Sequence, residues 1–382
     1  MARIAFFLDN LNIWKSGIWY HRQKVPANAL SKRGHSTKQI VMIPRGQQVP
    51  DQYMEFPNTI IMGRIYPEHT NPIKVMSDYK KQGKRVLCDM DDDYWAVDPS
   101  NPSRHVSNAY KDMYEGMLKE ADAITTPSKV LAKKIKKLTK KPVFFCPNGI
   151  DFNEYLERPH EHEDLIVGYM GAASHWRDLS IIVDVIAELQ RKHKFLFVLY
   201  GMVGEPLEAA MYSYDMMLTN NSQPENNEYF KDALDFYKKL QDITMMHIPF
   251  YPPELHPGAM SRADFDIGLA PLENNEFNRG KSNIKFYEYA AVGTACLASD
   301  VLPYKDEVSY RAKNTHKDWY EKLEKLIVDE KFRKNLAKEQ QKWVKENRGL
   351  DKIGLAWEMA CQKPGGLQVK NQKGWRKMFG LK

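Results

Sequence analysis

The stretch DLIVGYMG, residues 164–171, decides the fold of this 382-residue chain, because the order of elements restarts there. Its short apolar run ends in a glycine turn, which is typical of a buried strand. A helical pattern, SIIVDVIAELQRK (180–192), and another apolar run, KFLFVLYG (194–201), follow it. Short apolar strands that alternate with helices indicate a parallel sheet with helices on both faces.

The chain before residue 164 shows the same alternation. RIAFFLD (3–9), TKQIVMI (37–43) and NTIIMGR (58–64) predict strands, and a helical pattern that ends at Gly34 lies between the first two. The sequence therefore predicts one doubly wound sheet on each side of residue 164.

This order divides the chain into two α/β domains. We expect a first Rossmann-like domain at residues 1–155 and a second at 156–350. Residues 351–382 are expected to form a helix that returns to the first domain, followed by a basic tail. Ligands of open parallel sheets bind beyond the carboxyl ends of the strands. The cleft between the two domains is the expected site.

Composition excludes several classes of protein. The apolar fraction of 43% and the charged fraction of 27% are those of a globular chain, and no apolar run is long enough for a transmembrane helix. The apolar N-terminal run is broken by Asp9, which favours a buried strand over a secretory signal. The four cysteines form no C-x-x-C pair, so we expect a reduced, cytoplasmic protein without a zinc site. The formal net charge of +7 favours an anionic partner.

Several segments carry a further signal. They are GIWYHRQKVPANALSKRGH (17–35), VLCDMDDDYW (86–95), DAITTPSKVLAKKI (122–135), FFCPNGID (144–151), GYMGAASHWRDL (168–179) and SRADFDIGLAPLENNEFNRGKSNIKFYEYAAVGTACLASD (261–300). In this order and spacing they resemble GT-B glycosyltransferases, specifically the retaining, family 4-like group that uses nucleotide sugars. The resemblance spans roughly residues 3–360. It implies two Rossmann-like domains that face a central cleft, a UDP- or GDP-sugar as co-substrate, and no required metal or cofactor.

GKSNIKFYEYAAVGT (280–294) is the most informative of these segments. Lys281 and Ser282 stand at a helix start and Lys285 lies one turn further on, where a cation and a helix N-terminus stabilise a departing diphosphate. Ordinary solvation of the helix surface is the alternative for both lysines. The resemblance assigns the ribose hydroxyls to Glu288, the second acid of the E-x7-E motif. The first acid would fall at Gly280, so Glu276 or Glu273 in the preceding loop would have to substitute.

The glycine turn in GYMGAASHWRDL lies between a predicted strand and helix. A small residue such as Gly171 lets backbone N–H groups approach a phosphate. The resemblance implies that a basic residue here contacts the diphosphate, and Arg177 is the nearest one. His175 either bonds a sugar or phosphate oxygen or is a polar residue at the helix start. Asp178 is expected to cap this helix or to orient Arg177.

The loop expected after the first strand, SGIWYHRQKVP (16–26), is the candidate meeting point of donor and acceptor. Gly17 has no side chain, so this loop could lie close to the donor and let donor and acceptor meet. Tyr20 would stack on a sugar of the acceptor or pack in the core. Arg22 would contact a phosphate or the acceptor, or form a plain ion pair.

The acidic stretch CDMDDDYW (88–95) raises the question of a metal site. Metal-binding D-x-D motifs belong to the other major glycosyltransferase architecture, so the resemblance favours an acceptor-side wall instead. Asp91 and Asp92 are the expected partners of acceptor hydroxyls, while Asp89 and Asp93 order the loop. If the reaction instead inverted configuration, Asp92 or His105 would be the first candidates for the general base.

The acceptor itself stays open at this point. The run KVLAKKIKKLTKK (129–141) has seven lysines, and with the basic tail at 363–382 it is either a solvated face or a contact for DNA or an anionic surface. A glycan, a lipid-linked sugar or a hydroxymethylpyrimidine base of DNA would all fit. A catalytically inactive nucleotide- or nucleic-acid-binding protein is the alternative, and Gly280 is its best argument. Whether the insertion at 203–242 is a lid or only surface helices is likewise open.

Overall fold

The computed structural model describes residues 1–8, 17–41, 51–63, 71–97, 104–159, 162–172, 175–201 and 228–362. The basic tail and most of the 203–242 insertion lie outside these ranges, as does the side chain of His105. The predictions that fall on them stay predictions.

The first sheet has six parallel strands in the order β2-β1-β3-β4-β5-β6. The strands are β1 (Arg3–Leu8), β2 (Ser36–Val41), β3 (Thr59–Met62), β4 (Arg85–Asp89), β5 (Ala123–Thr126) and β6 (Val143–Phe145). Every residue of β3, β4 and β5 is buried, because helices cover both faces of the sheet.

The second sheet also has six parallel strands, in the order β12-β11-β10-β7-β8-β9. Its strands are β7 (Ile166–Met170), β8 (Leu196–Tyr200), β9 (Met245–Ile248), β10 (Ile267–Ala270), β11 (Ala295–Ser299) and β12 (Arg311–Ala312). The opening stretch therefore supplies β7, a central strand. Two doubly wound parallel sheets confirm the predicted fold class.

Helices cover both sheets. Those in the first half are Gly17–Trp19, Tyr20–Lys24, Val25–Lys32, Asp51–Glu55, Pro72–Lys81, Arg104–Glu120 and Lys129–Leu138. Those in the second half are Trp176–Ser180, Val183–Gln190, Glu228–Leu240, His256–Ala263, Glu276–Arg279, Ile284–Ala291, His316–Val328, Glu330–Arg348 and Leu350–Cys361. None of the helices in the described ranges is both long and apolar enough to cross a membrane.

Residues 17–24 are helical, so the prediction of a loop at these residues is wrong. A π-helical turn, Tyr20–Lys24, runs directly into the helix Val25–Lys32, and the N–H of Val25 bonds the carbonyl of Tyr20, five residues back. Pro26 has no N–H to donate, so the regular ladder is interrupted at this point and a π turn fits. The helix ends before Gly34, which has φ +86°, as the sequence predicted.

The last described helix, Leu350–Cys361, packs on the first sheet rather than the second. It lies against the helix Val25–Lys32 and against β4, β5 and β6. Trp357 packs edge-on against Phe6 at 6.0 Å between ring centres, and the Arg85 guanidinium donates to the carbonyl of Ala360. This return fastens the two halves of the chain together beside the cleft. The boundaries at 155 and 350 stay predictions.

Candidate active site

A cavity of about 480 Å³ opens between the two sheets. It lies where the carboxyl ends of both sets of strands meet, and its volume is that of a small-molecule site. The structure brings together here most of the residues that the sequence singled out. Those lining the cavity are Gly17, Tyr20, Arg22, Asp91, Asp92, Gly171, His175, Lys281, Ser282, Lys285 and Glu288.

Arg177 and Glu276 do not line this cavity. The Arg177 guanidinium lies 3.7 Å from a carboxylate oxygen of Glu273 and stacks over Trp176. Glu276 instead accepts from Lys134, at 2.9 Å. The ligand contacts predicted for Arg177 and Glu276 stay predictions.

One wall of the cavity is cationic. Lys281 and Lys285 both line it, beside the start of the helix Ile284–Ala291. Burial lowers the pKa of Lys285 to about 8, since Asp178 compensates only in part and Lys281 adds repulsion. The hydroxyl of Ser282 accepts from the Asn148 side-chain amide at 2.9 Å, which ties this wall to the first domain. The arrangement can hold a polyanion.

His175 stands next to these lysines. Its Nδ1 lies 2.8 Å from a carboxylate oxygen of Asp178. The charge of Lys285, burial and the charge of Lys281 lower the pKa of His175 to about 4, against the opposing effect of Asp178. The imidazole is therefore neutral near pH 7, with Nδ1–H donating to Asp178 and Nε2 left as an acceptor.

Asp178 was expected to cap its own helix or to orient Arg177, and the orientation of Arg177 stays a prediction. Besides His175, Asp178 accepts from the backbone N–H of Glu273 at 2.8 Å and from the side-chain amide of Asn278 at 3.1 Å. It therefore anchors the loop before Gly280 rather than capping its own helix. The i, i+3 spacing of His175 and Asp178 was the available sequence signal, because it places the two side chains on one helix face.

Glu288 is buried further along the helix Ile284–Ala291 and is held by three donors. Its Oε1 accepts from the Tyr155 hydroxyl at 2.9 Å and lies 3.0 Å from Nε2 of His256 and 3.2 Å from Nε2 of His21. Burial alone would raise the pKa of Glu288, but His256 and His21 outweigh it and the pKa lies below its usual range. Within the described ranges no hydrogen bond is made by Oε2, although Glu288 lines the cavity.

Sequence reasoning missed the three partners of Glu288. They come from the π-helical turn Tyr20–Lys24, from the segment after β6, and from the helix His256–Ala263. No local spacing connects positions so far apart, so no pattern could have found them.

Arg22 and Asp89 form a buried ion pair beneath the cavity. The guanidinium is bidentate on the carboxylate, at 2.6 and 3.0 Å, and it also donates to the Cys146 carbonyl and to the Asn148 side chain. The Thr125 hydroxyl donates to the same carboxylate at 2.6 Å. The structure thus shows the ion pair that the sequence left as the alternative for Arg22.

The other acids of the stretch CDMDDDYW lie in two different environments. Asp91 and Asp92 line the cavity, whereas Asp93 is buried and accepts from Lys134 at 2.7 Å. A Cβ on Gly280 would lie 3.3 Å from Cβ of Asp93, so the first domain already crowds the position of the missing motif acid. No group of three or more metal-ligating side chains of the His, Cys, Asp or Glu type occurs in the described ranges.

No protein-family model and no curated protein matches the chain. Solved structures do match it. HepE from Anabaena, in complex with UDP and glucose, has a TM-score of 0.63 at 12% identity and covers 94% of this chain and 99% of its own. An α-glucosyltransferase in complex with UDP and a 13-mer DNA containing an HMU base has a TM-score of 0.64 at 14% identity, over 95% of this chain and 100% of its own. A trehalose-6-phosphate synthase has a TM-score of 0.52 at 11% identity and covers 79% of this chain and 72% of its own.

These likenesses establish the architecture. Two six-stranded parallel sheets that face a cleft, with near-complete coverage of glycosyltransferase structures, show that the chain has the GT-B fold. Identities of 12% and 14% leave the family 4-like grouping a prediction.

Proposed function

We propose that the chain is a glycosyltransferase that moves a sugar from a UDP-sugar to an acceptor hydroxyl, with retention of configuration. One observation carries the proposal: a cavity in a GT-B cleft is lined by Lys281, Lys285 and a helix start, and by the buried Glu288 carboxylate further along that helix. A nucleoside diphosphate presents the complementary groups, two phosphates and a ribose diol.

The donor's diphosphate would lie against Lys281, Lys285 and Ser282. Gly171 lines the cavity beside them, and only glycine fits there, because a Cβ at this position would meet the Tyr169 hydroxyl at 2.7 Å. Phe250 lines the cavity and is 59% exposed, so its ring is available to stack on the nucleobase. Glu288 would use Oε2 for the ribose hydroxyls while three donors hold Oε1 in place.

The transfer needs no protein nucleophile in this arrangement. The bond between the anomeric carbon and the diphosphate oxygen breaks, and the acceptor oxygen bonds the anomeric carbon from the same face. The acceptor's proton passes to the departing phosphate oxygen. Lys281 and Lys285 stabilise the charge that grows on the diphosphate, which is the main contribution required of the protein.

The acceptor would lie on the first-domain side, against Asp91 and Asp92. Tyr20 is 1% exposed, packs in the core and donates its hydroxyl to Glu154 at 2.6 Å. We favour a hydroxyl on a modified DNA base over a glycan or a lipid-linked sugar. The observation in its favour is the α-glucosyltransferase structure bound to UDP and DNA, which the chain matches over 95% of its length.

Incubation with several nucleotide sugars tests the proposal, using hydroxymethylated DNA, oligosaccharides and lipid-linked sugars as acceptors and mass spectrometry as the readout. We expect UDP release with a mass gain of one hexose on one acceptor class. Binding of UDP without turnover of any acceptor would favour the alternative of an inactive nucleotide-binding protein. The glycine at position 280, in place of the motif acid, is the observation that supports this alternative. No binding of any nucleotide would contradict both.

Glu288→Ala should lower UDP affinity at least tenfold and abolish discrimination against 2′-deoxy-UDP. The reason is that a hydrogen bond to a charged group contributes about 1.5–3 kcal/mol. Calorimetric titration of both nucleotides measures the difference. Tyr155→Phe is the matched control, since it removes one donor to Oε1 and leaves Oε2, and it should keep the preference for UDP. An alanine variant that still prefers UDP would refute the ribose assignment.

UDP affinity should be constant near neutral pH and fall as the pH rises above about 8, the pKa of Lys285. The bound diphosphate favours the charged amine and raises its pKa, so the protein must hold that proton to bind well. The fall is at most about tenfold per pH unit, since one proton is involved. Dissociation constants between pH 7 and 10 measure it. Lys285→Arg keeps its charge throughout and should flatten the profile, whereas an unchanged fall in that variant would assign it to another group.

A further inference from the structure

A second, smaller groove adjoins the main cavity. It holds about 210 Å³ and lies between the helix Lys129–Leu138 of the first domain and residues 279–283 of the second. Pro127, Lys281 and Ser282 line both spaces, so the groove and the cavity are neighbours at the cationic wall.

Cations without carboxylate partners converge on this groove. Within the described ranges Lys133, Arg279 and Lys281 make no ion pair, although each lines it. The neighbouring Lys134 shows the contrast, because Asp93 and Glu276 both engage it. Lys129, the remaining cation, lies 3.9 Å from the exposed Asp306.

The acids at the groove do not cancel this charge. Glu307 lines the groove, but it is already paired with the Arg348 guanidinium and also accepts from Tyr287 and Asn283. Asp306 is 76% exposed, so solvent screens its contact with Lys129. The lining of the groove is left with an excess of positive charge.

We propose that this groove binds a phosphate of the acceptor, next to the hydroxyl that receives the sugar. The proposal rests on the proposed function and specifies the acceptor's chemistry. Nε of Arg279 already donates to the Asn274 side chain at 3.0 Å, so its two terminal nitrogens are the donors for a phosphate. Lys133 supplies a point charge from the other domain. Because Lys281 borders both spaces, a phosphate held here lies beside the donor's diphosphate and places the neighbouring part of the acceptor at the cavity.

A phosphodiester of a DNA strand and the phosphate of a sugar phosphate share this chemistry. A base turned out of a strand would enter the cavity while its backbone stays in the groove. The two sources can be separated by using a single-stranded DNA oligonucleotide and glucose 6-phosphate as probes.

The test compares Lys133→Gln/Arg279→Gln with Lys136→Gln/Lys137→Gln. The second pair removes the same charge at exposed positions of the same helix region that do not line the groove. Fluorescence anisotropy of the oligonucleotide across a salt series and calorimetry with glucose 6-phosphate and UDP are the readouts. We expect the groove variant to lose at least tenfold in affinity for one phosphate probe and to keep its UDP affinity. If that probe is DNA, the salt slope should fall by about 0.7 for each phosphate that the variant no longer neutralises.

The outcomes are distinct. A weaker affinity for DNA alone identifies a strand, and a weaker affinity for glucose 6-phosphate alone identifies a small sugar phosphate. Equal effects in the groove and control variants, or none in either, would overturn the proposal and leave the glycosyltransferase assignment standing. Failure of the wild-type protein to bind UDP would overturn the proposed function and this inference together.

Discussion

Lys281→Ala should lower kcat about 100- to 1,000-fold, in the range seen when one preorganised group that stabilises developing charge is removed. The side chain lines the cavity and makes no ion pair within the described ranges, so its charge is available to the ligand. The charge on the departing diphosphate is larger in the transition state than in the bound donor. The effect should therefore appear in kcat more than in KM. Steady-state kinetics with the donor and acceptor identified by the screen measures both.

Lys281→Arg is the control for this prediction. It keeps the positive charge in a different shape and should recover part of the rate. Full activity of the alanine variant would mean that Lys285 and the helix start suffice for the leaving group. A rise in KM alone, with kcat unchanged, would assign Lys281 to ground-state binding.

Asp89→Ala should destabilise the protein by about 3–5 kcal/mol, the range for leaving one member of a buried ion pair without its partner. Both side chains are about 3% exposed, and the carboxylate is the only acid within ion-pair distance of the Arg22 guanidinium in the described ranges. In the alanine variant the Arg22 guanidinium would be a buried charge without an ion-pair partner. Urea unfolding followed by circular dichroism gives the change.

The double variant Arg22→Met/Asp89→Leu separates charge from packing. It replaces the pair with apolar groups, and since such replacements are often close to neutral it should be more stable than Asp89→Ala alone. A single alanine variant within about 1 kcal/mol of the wild type would show that the pair contributes little, as exposed pairs do. A double variant no more stable than the single one would show that the hydrogen bonds of Arg22 to Cys146 and Asn148 matter more than the charge.

The two sheets were predictable because their strands, except the two-residue β12, each carry their own signal. Buried parallel strands read as continuous apolar runs, and β7 and β8 are separated by a helical pattern of ordinary length. The same holds for the glycine that ends a helix, since Gly34 meets a local requirement for positive φ. The π turn at residues 20–24 was not predictable from apolar spacing, because its signal is a single proline.

The candidate site was predictable where chemistry lies within one segment. Lys281, Ser282, Lys285 and Glu288 stand within eight positions of each other, and the cavity contains all four. The cluster around Glu288 joins residues 21, 155, 256 and 288, which come together only after both domains have folded. For Arg22, the sequence left ligand contact and ion pair open, and the position of Asp89 at the end of β4 shows the ion pair.

The apolar runs and their spacing thus sufficed for the architecture, since strand and helix formation depend on neighbours along the chain. The lysines of segment 280–294 sufficed to locate the cationic wall of the cavity, because they lie close together in the sequence. The partners of Glu288, the pairing of Arg22 with Asp89 and the crowding of Gly280 by Asp93 depend on how distant segments approach each other. These hydrogen bonds and ion pairs act over a few ångströms between positions 32 or more residues apart in the sequence, and that proximity exists only in the folded chain.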